Sequence, residues 1–191
     1  RDELLTALIV DAYDAVGAAA ERAAAAAGSG DPGGSWLAVC RAVRAWALAH
    51  PHEYALIYGS PVPGYAAPAA TVEPASRVGL ALLGAVREAL EAGTLTEPAG
   101  CSMPEPVRGD ARQLAERIGV DLPPESLARA VAAWAQLFGL VNFEVFGQFD
   151  RMIEARAEFF ATAATGLARG IGLPEPGSPA GTESTSGAAP A

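Results

Sequence analysis

A long apolar run with a single charged residue, Glu144, occupies Trp134–Phe149. Two prolines precede it, and proline suits the first turn of a helix, where its missing N–H leaves no hydrogen bond unmade. A glycine near the end of the run favours a break in the backbone. The segment therefore predicts a helix over 124–147, followed by a break over Gly147–Asp150.

The charge of Glu144 needs a partner, because an isolated buried carboxylate is costly unless it is paired or hydrogen-bonded. Three roles stay open for it: an ion pair with Arg129 or Arg151, a contact with a polar group of a ligand, or a position at a subunit boundary. Of these, the ion pair is favoured.

Most of the remaining chain has apolar residues at the three- and four-residue spacing of amphipathic helices. The same segments are rich in alanine, which loses least on entering a helix. No strand pattern of useful length interrupts them. The predicted fold is all-α with about eight helices, including those at 2–27, 36–49, 51–58, 72–92, 109–118, 124–147 and 150–170.

Proline and glycine set the boundaries between these helices. Ser35 is the predicted cap of helix 36–49, and Thr94–Val107 is predicted to be irregular. The first 173 residues are expected to form one domain. Residues 174–191 contain alanine as their only apolar type, so we expect this tail to be disordered.

Charge and motifs exclude several functions. The net charge of −9 argues against phosphate binding by this portion, and no apolar run is long enough to span a membrane. His50 and His52 are the only histidines, and their spacing at a helix start does not bring both rings to one metal ion. No hydrolase, zinc or nucleotide motif is present. We expect neither catalysis, nor a metal, nor a cofactor.

Large aromatic residues are concentrated in the middle of the chain and in helix 124–147. A core built from Ala, Leu and Val does not require so many rings with polar tips, and such rings suit the wall of a ligand cavity. The alternative is that they are ordinary core. The candidate ligand-binding residues are Tyr13, Trp46, Tyr54, Tyr58, Trp134, Phe138 and Asn142.

Two motifs together resemble the regulatory region of TetR-type transcriptional regulators. They are Arg44–Tyr65 (RAWALAHPHEYALIYGSPVPGY) and Trp134–Phe149 (WAQLFGLVNFEVFGQF). The second is similar to the subgroup with a Trp…His-Gly signature in the penultimate helix, with Phe138 in place of the histidine. Arg1–Leu5 resembles the sequence that follows the helix-turn-helix in this family.

The resemblance implies a cytoplasmic homodimer that binds a small apolar effector. It implies that operator DNA is bound only through an N-terminal helix-turn-helix that is missing from this sequence, and that the effector releases a repressor from it. TetR-type subunits pair through their last two helices. The apolar stripes there predict an interface of Val141, Val145, Met152, Arg156, Phe159, Ala163 and Leu167.

Other interpretations remain open. Both apolar stripes could belong to the core of one subunit. The chain could be a helical small-molecule-binding protein with no role at DNA, or a small enzyme with an aromatic pocket, although no set of acid, base and nucleophile is present.

Overall fold

The computed structural model of the protein describes residues 2–98 and 102–177. Within these residues the fold contains helices and no strand, which confirms the all-α prediction. A short 3-10 helix at Ala69–Thr71 joins seven α-helices. The α-helices are α1 (Asp2–Ala27), α2 (Pro32–Ala49), α3 (Pro51–Tyr58), α4 (Val72–Glu91), α5 (Glu105–Ile118), α6 (Pro124–Val145) and α7 (Arg156–Ile171).

The first helix packs between α2 and α4. Its buried residues Ile9, Ala12, Val16 and Ala20 recur at helical spacing and form the stripe that faces these neighbours. Gly17 lies against α4 so closely that an added Cβ would stand 2.7 Å from the Cβ of Arg77. Small residues on α1 therefore allow the two helices to approach.

Ion pairs at the surface also connect α1 and α4. Arg77 of α4 donates to Asp14 at 2.7 Å and to Glu21 at 2.6 Å, and both acids belong to α1. The hydrogen bond from Arg77 lowers the pKa of the Glu21 carboxyl. Because these side chains are partly exposed to solvent, the pairs add specificity to the helix packing more than stability.

The central element is α2, which contacts α1, α3, α4, α6 and α7. Trp36 is fully buried, and its indole N–H donates to the carbonyl of Ala164 on α7 at 3.2 Å. Burial raises the pKa of the Cys40 thiol on the same face, so Cys40 is a neutral core residue. The single hydrophobic core is built around this helix.

The start of α2 differs from the prediction. The helix begins at Pro32, and Asp31 is its cap, since the Asp31 carboxylate accepts a hydrogen bond from the Gly34 N–H at 2.8 Å. Ser35 is therefore a buried residue inside the helix. An Asp cap followed by Pro in the first turn is a strong start signal, which outweighs the glycines.

Two other helices also begin at residues different from those predicted. The α5 helix begins at Glu105, four residues before its predicted start, because a Pro in its first turn and Glu105 pairing with Arg108 and Arg112 favour an earlier beginning. The last helix begins at Arg156 and not at 150. Arg151 adopts a left-handed φ of 62°, which a continuing helix does not allow.

The first part of the predicted tail belongs to the fold. The Gly177 N–H donates to Asp31 at 3.0 Å, and Arg169 pairs with Glu175 at 2.6 Å. Residues 174–177 are thus held against the start of α2 and the end of α7, contrary to the expectation of disorder there. The prediction for residues 178–191 concerns residues outside those described. In the described part of the chain, no helix is long and apolar enough to cross a membrane.

Candidate ligand-binding site

A cavity of about 610 Å³ lies between the helices and the segment Gly59–Pro68. Its volume is within the range of sites that hold drug-sized molecules. Its walls come from α1, α3, α4, α5, α6, the 3-10 helix and the 59–68 segment, and they are predominantly apolar. The lining residues are Ile9, Tyr13, Leu56, Ile57, Pro61, Val62, Tyr65, Ala67, Thr71, Val72, Ala75, Ser76, Gly79, Leu80, Leu82, Leu83, Leu114, Ile118, Leu127, Ala130, Val131 and Trp134.

Part of this wall is open to solvent. Val72 is 66% exposed and Leu80 is 44% exposed, and Val131 and Trp134 are exposed to a similar degree as Leu80. In a monomeric protein, several neighbouring large apolar side chains are rarely exposed to solvent unless that surface has a binding role. These residues mark the mouth of the cavity, on the side formed by α4 and α6.

Few polar side chains reach the cavity, and none of those that line it is charged. The Tyr13 hydroxyl donates to the Ile57 carbonyl at 3.3 Å, and the Thr71 hydroxyl donates to the Pro68 carbonyl at 2.8 Å. Burial raises the pKa of the Tyr13 phenol, so this hydroxyl stays neutral. The site offers apolar contact and a few hydroxyl groups, with no candidate nucleophile and base pair.

The predicted aromatic residues differ in their position relative to the cavity. Tyr13 and Trp134 line the cavity. Tyr58 and Phe138 lie between them and form a continuous row of rings: the centroid distances are 5.8 Å for Tyr13–Tyr58, 4.2 Å for Tyr58–Phe138 and 5.7 Å for Phe138–Trp134. Tyr58 and Phe138 lie behind the lining, because their rings pack on each other.

The remaining predicted residues lie away from the cavity lining. Tyr54 is fully buried, and its hydroxyl donates to the side-chain oxygen of Asn142 at 2.8 Å. Trp46 stacks on His50 with 5.2 Å between the ring centroids. Trp46, Tyr54 and Asn142 are thus absent from the lining, because each has a partner that holds it within the helix packing. Tyr13 and Trp134 are thus the two predicted residues that line this cavity, and ligand contact stays a prediction for all seven.

Glu144 is paired, but with neither of the arginines named from the sequence. Arg44 of α2 donates to both carboxylate oxygens of Glu144, at 2.5 and 2.6 Å. The Glu144 side chain is 6% exposed and that of Arg44 20%. Arg129 precedes Glu144 on the same helix by about 22 Å of helical rise, which is out of reach. Arg151 is exposed and itself adopts the left-handed conformation in the turn that follows the helix.

The Arg44–Glu144 pair also connects to the last helix. The guanidinium carbon of Arg44 lies 5.3 Å from the centre of the Phe160 ring on α7. One cation therefore joins α2, α6 and α7 through a bidentate ion pair and an aromatic contact. Its site adjoins the core and not the cavity.

A comparison with models of protein families identifies the family to which this helical architecture belongs. A family model described as "Tetracyclin repressor-like, C-terminal domain" matches residues 36–167, which include most of α2, all of α3 to α6 and most of α7. The chain belongs to the TetR family of transcriptional regulators. Members of this family are regulators and not enzymes as a class.

Individual relatives agree with this assignment. The TetR-family chain is 36% identical over 153 residues to the HTH-type transcriptional regulator Rv1816 of Mycobacterium tuberculosis, and equally to the regulator Mb1846 of Mycobacterium bovis. The alignment covers 78% of this chain and 64% of each regulator, so the chain spans less than two thirds of these curated relatives. It is also similar to the crystal structure of the regulatory protein SCO4313, with a TM-score of 0.64, 36% identity, and coverage of 87% of this chain and 73% of that one.

The predicted interface residues of this TetR-family chain have different environments. Met152 is 73% exposed and Phe159 is 37% exposed, while Val145, Arg156, Ala163 and Leu167 are half-buried. Val141 is fully buried in the subunit core, so it is removed from the candidate interface. Arg156 pairs with Asp150 at 2.7 Å and donates to the Ile153 carbonyl, which holds the turn before α7.

The sequence prediction missed the side of the cavity formed by α4 and α5. Ala75, Gly79 and Leu83 of α4 and Leu114 of α5 line it. The sequence did contain one indication for α4, namely Gly79 in the interior of a strongly helical segment. A glycine inside a helix usually has a packing or functional reason. Alanine-sized and aliphatic residues give no comparable signal.

Proposed function

We propose that this chain is the effector-binding and dimerising part of a TetR-family repressor, and that a small apolar effector binds in the cavity bordered by Tyr13, Gly79 and Trp134. The observation that carries the proposal is the cavity itself. Its volume of about 610 Å³ and uncharged lining suit an apolar molecule. Apolar side chains exposed at its mouth would be covered by a bound ligand.

The dimer is proposed on α6 and α7. Phe143 of α6 is 51% exposed, and its ring joins Phe149 and Phe159 in an exposed row, with centroids 5.5 and 5.4 Å apart. Small residues on α7, among them Ala163 and Gly166, would let a second helix approach closely. A large apolar face of this kind is typical of obligate subunit interfaces.

DNA binding is proposed for the whole protein through a helix-turn-helix that precedes α1. The relatives are named HTH-type regulators, and this chain spans 64% of their length. The net charge of −9 makes the 191-residue chain unsuitable for binding phosphates. A cytoplasmic location follows from this role. We also place the chain in the Trp…His-Gly subgroup, on the strength of Trp134 and Gly139, with Phe138 in place of the histidine.

A route from the cavity to α1 supports regulation. Tyr65 lines the cavity, and its hydroxyl lies 2.8 Å from the hydroxyl of Thr6 in the second turn of α1. An effector that displaces Tyr65 would break this hydrogen bond and free the first turns of α1. It can favour release from DNA only by binding the DNA-incompetent state more tightly.

The test uses the whole protein together with the region upstream of its own gene. Organic extraction and mass spectrometry of the purified protein would identify a co-purified apolar molecule. In fluorescence anisotropy, that molecule should weaken binding to the upstream DNA about tenfold or more, because coupling energies of 1–3 kcal/mol are usual.

The variant that tests this route is Thr6→Val, which removes the hydroxyl bonded to Tyr65 and keeps the shape of the side chain. It should bind effector but respond less at DNA. Effector binding without any effect on DNA affinity, or the absence of DNA binding, would contradict repression and favour a small-molecule-binding protein with no role at DNA.

A further inference from the structure

The electrostatic character of the cavity restricts its ligand. No lining residue is Asp, Glu, Lys, Arg or His, so no counter-ion is present for a charged group. A second groove adjoins the cavity at Tyr65 and is bordered by Asp2, Glu3 and Asp11, which would repel an anion at that end. A carboxylate or phosphate brought into this site would lose its hydration without compensation.

The hydroxyl groups of the lining are already used as donors. Tyr13 donates to the Ile57 carbonyl, Thr71 to the Pro68 carbonyl at 2.8 Å, and Ser76 to the Glu73 carbonyl at 2.7 Å. Each oxygen keeps lone pairs that can accept a hydrogen bond. A ligand with an O–H or N–H group can therefore bond to these oxygens without breaking an existing hydrogen bond.

The two other polar groups of the lining do not change this pattern. The Tyr65 hydroxyl is 2.8 Å from the Thr6 hydroxyl, and one of the two donates to the other. The indole N–H of Trp134 has no hydrogen-bond acceptor among the described residues, but this residue is 39% exposed at the mouth of the cavity, where water can satisfy it. Inside the described cavity, acceptors thus outnumber free donors.

We infer that the effector is an uncharged lipophilic molecule whose polar group is a hydrogen-bond donor, such as an alcohol. The inference rests on the proposed function, since it assumes that the cavity holds the effector. It excludes two neighbouring classes: acids of the same carbon skeleton, which would carry a charge, and ketones or esters, which can only accept.

Three ten-carbon compounds separate these classes: 1-decanol, 2-decanone and decanoate. They would compete with the uncharged fluorescent probe N-phenyl-1-naphthylamine, which should bind the 191-residue chain at one site per subunit. We expect 1-decanol to displace the probe at a concentration about tenfold lower than 2-decanone, since the alcohol O–H finds an acceptor in the cavity whereas the ketone oxygen is left without a donor. Decanoate should need a still higher concentration.

Hydroxyl variants test the origin of this order. Tyr13→Phe and Thr71→Val each remove an accepting oxygen from the cavity with little change of shape. In these variants the advantage of 1-decanol over 2-decanone should fall several-fold. The control is Thr96→Val, whose hydroxyl donates to the Gly172 carbonyl outside the cavity and should leave the advantage unchanged.

The outcomes are distinct. If decanoate or 2-decanone competes as well as 1-decanol while the probe binds, the inference is wrong and the proposed effector site stands. If neither the probe nor any of the three compounds binds, the proposed function fails, and the inference fails with it. The expected order, reduced in both cavity variants and retained in Thr96→Val, supports the inference.

Discussion

Gly79 offers a sharp test of the cavity, because a side chain added there should improve stability and impair binding. The residue lies in the interior of α4 and lines the cavity, and an added Cβ would meet no atom within 4 Å. Glycine is destabilising inside a helix. Its presence at this position keeps space open for a ligand, and Gly79→Leu would fill part of that space.

The size of each effect can be estimated. Replacing a helical glycine by leucine should stabilise α4 by about 0.7 kcal/mol, which raises the melting temperature of a chain of this length by about 2 °C. The four carbons of the leucine side chain would exclude about four ligand methylenes. At about 0.8 kcal/mol for each buried methylene, the loss is about 3 kcal/mol, or about 150-fold in affinity.

Gly84 provides the matched control. It lies on the same helix, an added Cβ there also meets nothing within 4 Å, and it is not part of the cavity lining. Gly84→Leu should give the helix stabilisation and leave binding unchanged. Titration of N-phenyl-1-naphthylamine fluorescence measures affinity, and differential scanning fluorimetry measures melting. Unchanged affinity in Gly79→Leu, or an equal loss in both variants, would refute the assignment of the cavity.

Further predictions concern packing, assembly, DNA and pH. Arg44→Met and Glu144→Gln should each lower the free energy of unfolding in urea by about 3 kcal/mol. The double variant should lose about 2 kcal/mol less than the sum of the two single losses, and additive losses would show that the pair is not coupled. Phe159→Glu should convert a dimer to monomer in sedimentation equilibrium, whereas Gln113→Glu on α5 should not; a monomeric wild type would contradict the proposed interface. The 191-residue chain should give no complex with duplex DNA in a gel shift at physiological salt, and a sequence-selective complex would oppose this expectation. The guanidinium beside Glu21 lowers the pKa of its carboxyl, so the pair contributes stability above the ordinary carboxyl pKa and loses it as the pH falls through the lowered value. Glu21→Gln should therefore be less stable than the wild type in urea at neutral pH and equal to it in acid, and a difference that persists in acid would refute this.

The helices were predictable because their signals are local. Apolar residues at helical spacing, as in Ile9, Ala12 and Val16, and a proline at the start of α6 are visible in one segment of chain. The start of α7 was not predictable in this way. Arg151 adopts a left-handed conformation that its residue type does not favour, in a turn closed by hydrogen bonds from the Met152 and Ile153 N–H groups to the Phe149 carbonyl.

The candidate site was predicted less well than the fold, for a related reason. Aromatic residues such as Tyr58 and Phe138 attract notice in a sequence, but their large rings also pack best on one another, with centroids 4.2 Å apart. A cavity is a place where side chains are small or absent, and Gly79 and Ala75 contribute to it through their size. The partner of Glu144 was likewise distant in sequence. Arg44 is an arginine on the buried side of α2, and that feature could have indicated it.

The cavity between α1, α4 and α6 is the proposed effector site, and a crystal structure of the chain soaked with 1-decanol would show whether a ligand occupies it. We expect electron density for the ligand in contact with Tyr13, Leu83 and Leu127, with Trp134 at the mouth. An empty or collapsed cavity in a crystal that holds the ligand elsewhere would contradict the assignment of this cavity as the effector site.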